Sequence, residues 1–428
     1  MARAWARRGV GDQKGSEADV RRAQILAPDS LDVLFEIAQQ LEARGDPAGA
    51  IAIYKRMLTI DPEDPGALNN LAARYLETGR HEGVEVLLRK ILAKQPHDSM
   101  ALANLSSLYL HKGRLQEAYE LALSAVDQSP SAYQEREQFA RVLIGLGKHD
   151  EALAQLERVL LNHPKRARAH YLRSMALFHK EQWDSAIAAL SEAIGIAPTF
   201  PEYLKQRALQ YQKQKRYSEA LHDLDRLLKL TPTAEIYTVR GWTRAEAGDL
   251  AGALSDHGNA LRIDPQAEQA RLNRSKLLQD AGRPREAIED LEQLVEQSPQ
   301  RAIYRYHLAA LRLALKDFPG SRADSQRYRL LAPRDPSGCV LEGRARAGLR
   351  EFREAVACYD SALELNAKHV MALAYKAEAL RELKEWAHVV ETIDRLLPLL
   401  HASKSEPIRD ARQDALNRLK KAKRAPPR

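Results

Sequence analysis

The chain has 428 residues, 44% hydrophobic and 29% charged, a balance that excludes a disordered polypeptide. Its two cysteines, Cys339 and Cys358, exclude a disulfide framework and a cysteine-rich zinc module, and no apolar run approaches the roughly 18 residues that span a bilayer. The net charge of +8 sits at the ends: residues 1–30 carry +2, residues 404–428 carry +6, and 31–403 is neutral. A nucleic-acid partner is therefore not expected beyond the basic tail of Lys420, Lys421, Lys423 and Arg424.

At the N-terminus, Arg3, Arg7 and Arg8 resemble the charged start of a secretory signal, but no apolar stretch follows, so a cytoplasmic protein is expected. Residues 1–30 share the register of what comes after, with Gly11 at a turn and Pro28 at a helix stop. Met1 then falls inside the first helix of a truncated repeat. A signal or anchor further upstream stays open.

From Pro28 onward the prolines mark a period. Pro62, Pro96, Pro130, Pro164, Pro198 and Pro232 follow at intervals of 34, then Pro265 after 33, then Pro299 and Pro333. Each follows an apolar stretch of helical spacing and stops it, because proline cannot continue a helix interior. Within one period two stripes appear. Leu68, Leu71, Ala72 and Tyr75 form the first, Gly79 breaks the chain, and Val84, Leu87, Leu88 and Ile91 form the second. Each period is a helix–turn–helix hairpin that cannot bury its stripes alone, so neighbours must stack.

Full repeats begin near 31, 65, 99, 133, 167, 201, 234, 268, 302, 336 and 370. Position 8 is Ala, Gly or Ser in all eleven, from Ala38 through Gly241 and Gly343 to Ala377, where two helices must approach closely. Position 20 is usually Ala, as in Ala50, Ala118 and Ala287. A 34-residue hairpin with these small positions and a final proline resembles the tetratricopeptide repeat. The resemblance implies an all-α fold, an α-solenoid (right-handed superhelix) of about eleven repeats over 31–403. A capping helix and basic tail follow over 404–428. Ser405, Glu406 and Pro407 read as that helix's opening, and Ile408, Ala411, Ala415, Leu416 and Leu419 as its stripe.

Two turn chemistries alternate at position 15. Six repeats have glycine there, Gly45, Gly79, Gly113, Gly147, Gly248 and Gly282, suited to a left-handed turn. The other five have Glu181, Lys215, Lys316, Arg350 and Lys384, each followed two residues later by an aromatic: Trp183, Tyr217, Phe318, Phe352 and Trp386. A buried ring is expected to pin the turn where glycine is absent. The repeat 302–335 departs most, with Ser321 and Ser325 at usually apolar places and Pro319 in its second helix, the pattern of a loose repeat or a hinge.

No catalytic constellation, phosphate loop or metal-ligand spacing emerges, and His163, His170 and His179 do not share a ligating helix face, so neither enzyme activity nor cofactor is expected. Arg173, Arg207, Arg240 and Arg274 recur at position 7, and Asp223, Asp256 and Asp290 follow the last three by sixteen residues, which predicts ion pairs within hairpins.

The resemblance also implies that first helices line a concave face, with positions 2, 5, 6, 9 and 12 toward it. That nominates Asn69, Asn70, Asn104 and Asn273 as amides for a peptide backbone, and Tyr171, Met175, Phe178 and Trp242 as apolar anchors. "ALNNLAARYLETGR" and "ALANLSSLYLHKGR" look like the asparagine-bearing repeats of the O-GlcNAc transferase superhelix. Lys205 stands where chaperone-binding relatives begin a dicarboxylate clamp, but Leu209 replaces the asparagine that must follow, so chaperone tails are not expected ligands. The function expected is a non-enzymatic scaffold or adaptor holding an extended protein segment. Its rivals are the recruiting module of an enzyme complex such as a glycosyltransferase, and a nucleic-acid-associated repeat protein.

Overall fold

The computed structural model describes residues 2–3, 7, 10, 12–400 and 402–424. Met1, Arg8 and Gly11, and the side chains of Lys423 and Arg424, lie outside the described residues. Those described form 24 α-helices and one short 3-10 segment, with no strand among them. The fold is an all-α solenoid of stacked hairpins.

The chain divides into two compact bodies, 1–216 and 217–428. In the first, α1 (Gln13–Leu26) precedes five hairpins: α2 (Leu31–Ala43) with α3 (Pro47–Ile60), α4 (Pro65–Glu77) with α5 (Val84–Lys94), α6 (Ser99–His111) with α7 (Leu115–Gln128), α8 (Tyr133–Gly145) with α9 (His149–Asn162), and α10 (Ala167–His179) with α11 (Trp183–Ile196). The body ends in α12 (Pro201–Lys213). Its main core is shared between hairpins: Leu88, Leu108, Leu143, Leu156 and Leu172 come from five helices and are almost wholly buried.

The second body begins with α13 (Tyr217–Leu230). Five hairpins follow: α14 (Ala234–Glu246) with α15 (Leu250–Ile263), α16 (Glu268–Asp280) with α17 (Pro284–Gln297), α18 (Ala302–Ala314) with α19 (Phe318–Leu331), α20 (Pro336–Gly348) with α21 (Phe352–Leu365), and α22 (Val370–Glu382) with α23 (Trp386–Leu396). The 3-10 segment Leu397–Leu399 leads to α24 (Ala402–Arg424). That last helix starts three residues before Ser405, and Pro407 lies inside it rather than at its opening. Its Ile408, Ala411 and Ala415 pack on Val389 and Ile393 of α23.

Position 8 behaves as its size demands. A Cβ added at Gly343 would stand 2.4 Å from the ring of Tyr359, which fills the space left by the missing side chain.

All eleven position-15 residues adopt left-handed backbone, the glycines at φ of 70 to 87° and the charged residues at 58 to 64°. Each turn closes the same way. The next residue donates to a carbonyl five residues back, as Asp46 to Leu41 at 2.9 Å and Gln182 to Leu177 at 3.0 Å. The aromatics therefore do not replace the left-handed turn; the strain is retained beside them. Nor are the five rings fully buried: all are half-buried, with Trp183 edge-on to Phe178 at 4.9 Å and Phe318 lying against Gly348. An L-residue held left-handed costs about 1 kcal/mol. Lys316→Gly should raise unfolding stability by about that amount and Gly248→Ala should lower it similarly, as read by urea denaturation.

The repeat 302–335 is closely packed. Ser321 donates to the Ala309 carbonyl at 2.8 Å, Ser325 to that of Ser321 at 2.7 Å, and both are fully buried. Pro319 falls in the first turn of α19, where its missing N–H has no intrahelical role.

The predicted ion pairs form at Arg240–Asp256 and Arg274–Asp290, with Nε–carboxylate distances of 2.9 and 2.8 Å. The network is wider than predicted. Arg244 joins Asp256, Arg271 joins Asp290, and Asp324 receives both Arg305 and Arg312. The arginines sit at positions 4, 7 and 11, one stripe of the first helix, and every aspartate is at position 23.

Candidate functional site

The face of interest is built from consecutive first helices, α4, α6, α8 and α10 of the first body. Polar side chains tie these helices edge to edge. Asn104 donates to the Asn69 carbonyl and side-chain oxygen at 3.4 Å, and Gln138 to Ser106 at 3.1 Å. On the next pair, Gln210 of α12 donates to Ser174 of α10 at 2.9 Å. The serine in two of these bonds is the small residue of position 8, so a residue chosen for size also accepts from the following repeat.

The amides nominated from sequence are thus partly committed within the protein. Asn69 is buried and donates to Asp98 at 3.2 Å, while Asn70 donates to Gly66 of its own helix at 2.8 Å. Asn70 and Asn104 are half-buried, and their carboxamide oxygens accept no bond among the described residues. Their N–H groups are thus used within the protein, and only the two carboxamide oxygens are left as acceptors among the described residues.

On α10 the structure groups Tyr171 with Met175. Both are half-buried against the shared core, and the Tyr171 ring lies 5.3 Å from that of Tyr203. Burial raises the Tyr171 hydroxyl to about 12, with Glu202 and Tyr203 acting the same way and Arg141 and Arg168 opposing. Phe178 turns to a separate cluster with Leu153 and Leu177 and packs on Trp183. Lys205 is half-buried on α12.

In the second body Trp242 is 40% exposed on α14, and Asn273 on α16 accepts from Gln269 at 2.8 Å. The two positions belong to consecutive first helices.

Sequence reasoning missed Arg141. It occupies position 9 of its repeat, in a row with Ser107 before it and Met175 after it. Its Nη2 donates to the Ser107 hydroxyl, and its buried Nε has no hydrogen-bond partner. Burial lowers this guanidinium to about 10, and the charge of Arg168 pushes the same way. The signal available was an arginine between Ser107 and Met175 at position 9 of consecutive repeats.

No group of three or more potential metal ligands is present among the described residues, and no helix among them is long and apolar enough to cross a membrane.

Stacked two-helix repeats with a first-helix face define a hairpin-repeat protein. A tetratricopeptide repeat family model matches residues 1–65, 138–200, 206–268 and 340–397, and a second matches 41–109 and 244–311. The chain belongs to the tetratricopeptide repeat family. A model of subunit 3 of the anaphase-promoting complex, the cyclosome, matches 84–159.

Among curated proteins, human tetratricopeptide repeat protein 13 is 31% identical over 163 residues, which is 37% of this chain and 19% of that protein. Human tetratricopeptide repeat protein 16 is 25% identical over 49% of this chain and 26% of its own length. Human DnaJ homolog subfamily C member 7 is 24% identical over 40% of this chain and 38% of its own. The chain thus spans less than two fifths of the length of these relatives. Among solved structures, a tetratricopeptide repeat protein from Parabacteroides merdae has a TM-score of 0.41 at 19% identity, covering 58% of this chain and 97% of that one. Yeast Tom70 has a TM-score of 0.37 at 14% identity, covering 91% and 96%.

Proposed function

We propose that this chain is a non-enzymatic scaffold that holds an extended protein segment across the first helices of its first body. Tetratricopeptide repeats generally mediate protein–protein interaction, and the finer reading rests on one observation. Tyr171 and Met175 form a half-buried apolar pair on α10, and Asn70 and Asn104, three and two repeats earlier along the same row of first helices, keep carboxamide oxygens that accept no bond among the described residues. An extended segment supplies backbone N–H donors to those oxygens and an apolar side chain to the pair. The surface is ordered before the ligand arrives, which lowers the entropy lost on binding. In this reading 31–403 works as the repeat array and α24 solvates its end, in a cytoplasmic protein.

Panning a displayed random-peptide library against the full chain tests this. Selected peptides should lose tenfold or more in affinity with Tyr171→Ala combined with Met175→Ala, by about 1–2 kcal/mol per anchor. They should keep it with Leu161→Ala on α9, a leucine 84% exposed on a second helix. Selected peptides that ignore the α10 changes would overturn the reading.

A further inference from the structure

We propose that Arg141, with Arg168, Ser107 and Tyr171, forms a binding site for the phosphate of a phosphorylated side chain in the bound segment. The inference rests on the reading that a segment lies on this face, and it names one residue of that segment.

The first argument is charge. Arg141 is an arginine set into the surface of a packed array, yet no carboxylate bonds it among the described residues. Three other part-buried arginines meet aspartate: Arg240 meets Asp256, Arg274 meets Asp290 and Arg305 meets Asp324. Arg141 instead donates to a neutral hydroxyl, leaves Nε without a partner, and lies near a second cation, Arg168. A part-buried cation without a counterion is a cost to the fold that a counterion from outside would relieve.

The second argument is how much negative charge fits. Arg168 lies 3.7 Å from the carboxylate of Glu137, but that carboxylate is already held by Arg166 at 2.8 and 3.2 Å. Arg166 and Arg168 therefore share one carboxylate, and with Arg141 and with Glu202 near Tyr171 the local balance is one positive charge. A phosphate monoester near neutral pH carries about −1.5 to −2 and offers three acceptor oxygens. A carboxylate offers only two. The donors suit the tetrahedral group: guanidinium N–H groups of Arg141 and Arg168, with the hydroxyls of Ser107 and Tyr171 at its margin. Burial lowers the pKa of His111, and the Arg141 charge and His81 act the same way.

The third argument is spacing. Ser107, Arg141 and Met175 hold position 9 of three consecutive first helices, and packed helices lie about 8–10 Å apart. An extended chain covers that distance in about three residues. The phosphorylated residue at Arg141 thus has an apolar residue about three positions away, over Tyr171 and Met175.

The test uses the full chain and a fluorescein-labelled probe: a serine-glycine nonapeptide with central phosphoserine and leucine three residues to either side. Anisotropy is measured for this peptide, its unphosphorylated form, and a form with glutamate in place of phosphoserine. We expect the phosphopeptide to bind at least tenfold more tightly than the other two, with inorganic phosphate competing. Arg141→Met should abolish that preference, and Arg168→Gln should reduce it. Arg141→Met should also melt no lower than the parent, and phosphate should raise the melting temperature of the parent alone. Equal binding of the phosphorylated and unphosphorylated peptides overturns the proposal while leaving the scaffold reading intact. So does equal binding of the glutamate peptide, or a preference that survives Arg141→Met in a folded protein. If a 5′-phosphorylated oligonucleotide binds through Arg141 and the phosphopeptide does not, the site serves nucleic acid and the proposal is wrong. If no peptide binds in any form and library panning also yields none, it is the scaffold reading that fails.

Discussion

Asp324→Ala should lower unfolding stability by about 3–5 kcal/mol, among the largest effects of any single change in the second body. The aspartate is buried at position 23, and its carboxylate holds Arg305 at 2.5 Å and Arg312 more closely still. Arg312 keeps Glu292 as a second partner. Among the described residues Arg305 has no other carboxylate, and its buried Nε is already without a partner. Removing Asp324 therefore strands a cation inside the hairpin, and the cost is mainly that of the unpaired charge. Replacing both Asp324 and Arg305 by leucine should recover most of the loss, because an apolar pair of similar volume needs no counterion. Urea denaturation of both variants checks this. A double variant as unstable as Asp324→Ala would show that the loss came from packing.

The second large effect is a response to acid at His257. This ring is fully buried on α15 against Gly241, and neither nitrogen has a hydrogen-bond partner among the described residues. Burial lowers its pKa from 6.5 to about 4; Arg274 acts in the same direction, and Asp256 opposes. The unfolded chain takes up a proton below about 6.5, whereas the folded one stays neutral until about 4. The stability tied to the neutral ring is present above 6.5 and is lost as pH falls through this window. The slope is about 1.4 kcal/mol per pH unit, or about 3 kcal/mol in all. His257→Leu should remove that part of the acid response. If parent and variant lose stability in parallel between pH 6.5 and 4, the ring is not held neutral.

The repeat architecture was legible because its determinants are local. A proline at a fixed interval stops a helix wherever it stands, and a small residue at position 8 reports a close approach inside the same hairpin. The Arg240–Asp256 and Arg274–Asp290 pairs followed from a constant separation within one repeat for the same reason. What escaped depends on other physics. The left-handed turns at Glu181, Lys215, Lys316, Arg350 and Lys384 contradict residue preference, since closing the hairpin outweighs the local strain. Arg244, Arg271, Arg305 and Arg312 stand outside position 7, where the arginine recurs from repeat to repeat. Positions 4 and 11 lie one turn away on the same stripe and reach the same aspartate.

The candidate site was the least legible part. Asn104 to Asn69, Gln138 to Ser106 and Arg141 to Ser107 are bonds between repeats. They depend on how far one hairpin is displaced and turned against the next, which spacing within a repeat does not encode. Reading the same position down successive repeats would have set Arg141 between Ser107 and Met175. It would not have shown that the arginine lacks a carboxylate.

The scaffold reading is tested most directly by site-specific photo-crosslinking. A benzophenone amino acid replaces Met175 on the first-helix face or, as a control, Leu161 on the exposed side of α9, and each full-length protein is irradiated with native lysate. The account predicts protein adducts from position 175 that disappear when a library-selected peptide is added, with few from position 161. Adducts that form mainly from 161, or that persist at 175 under saturating peptide, would contradict it.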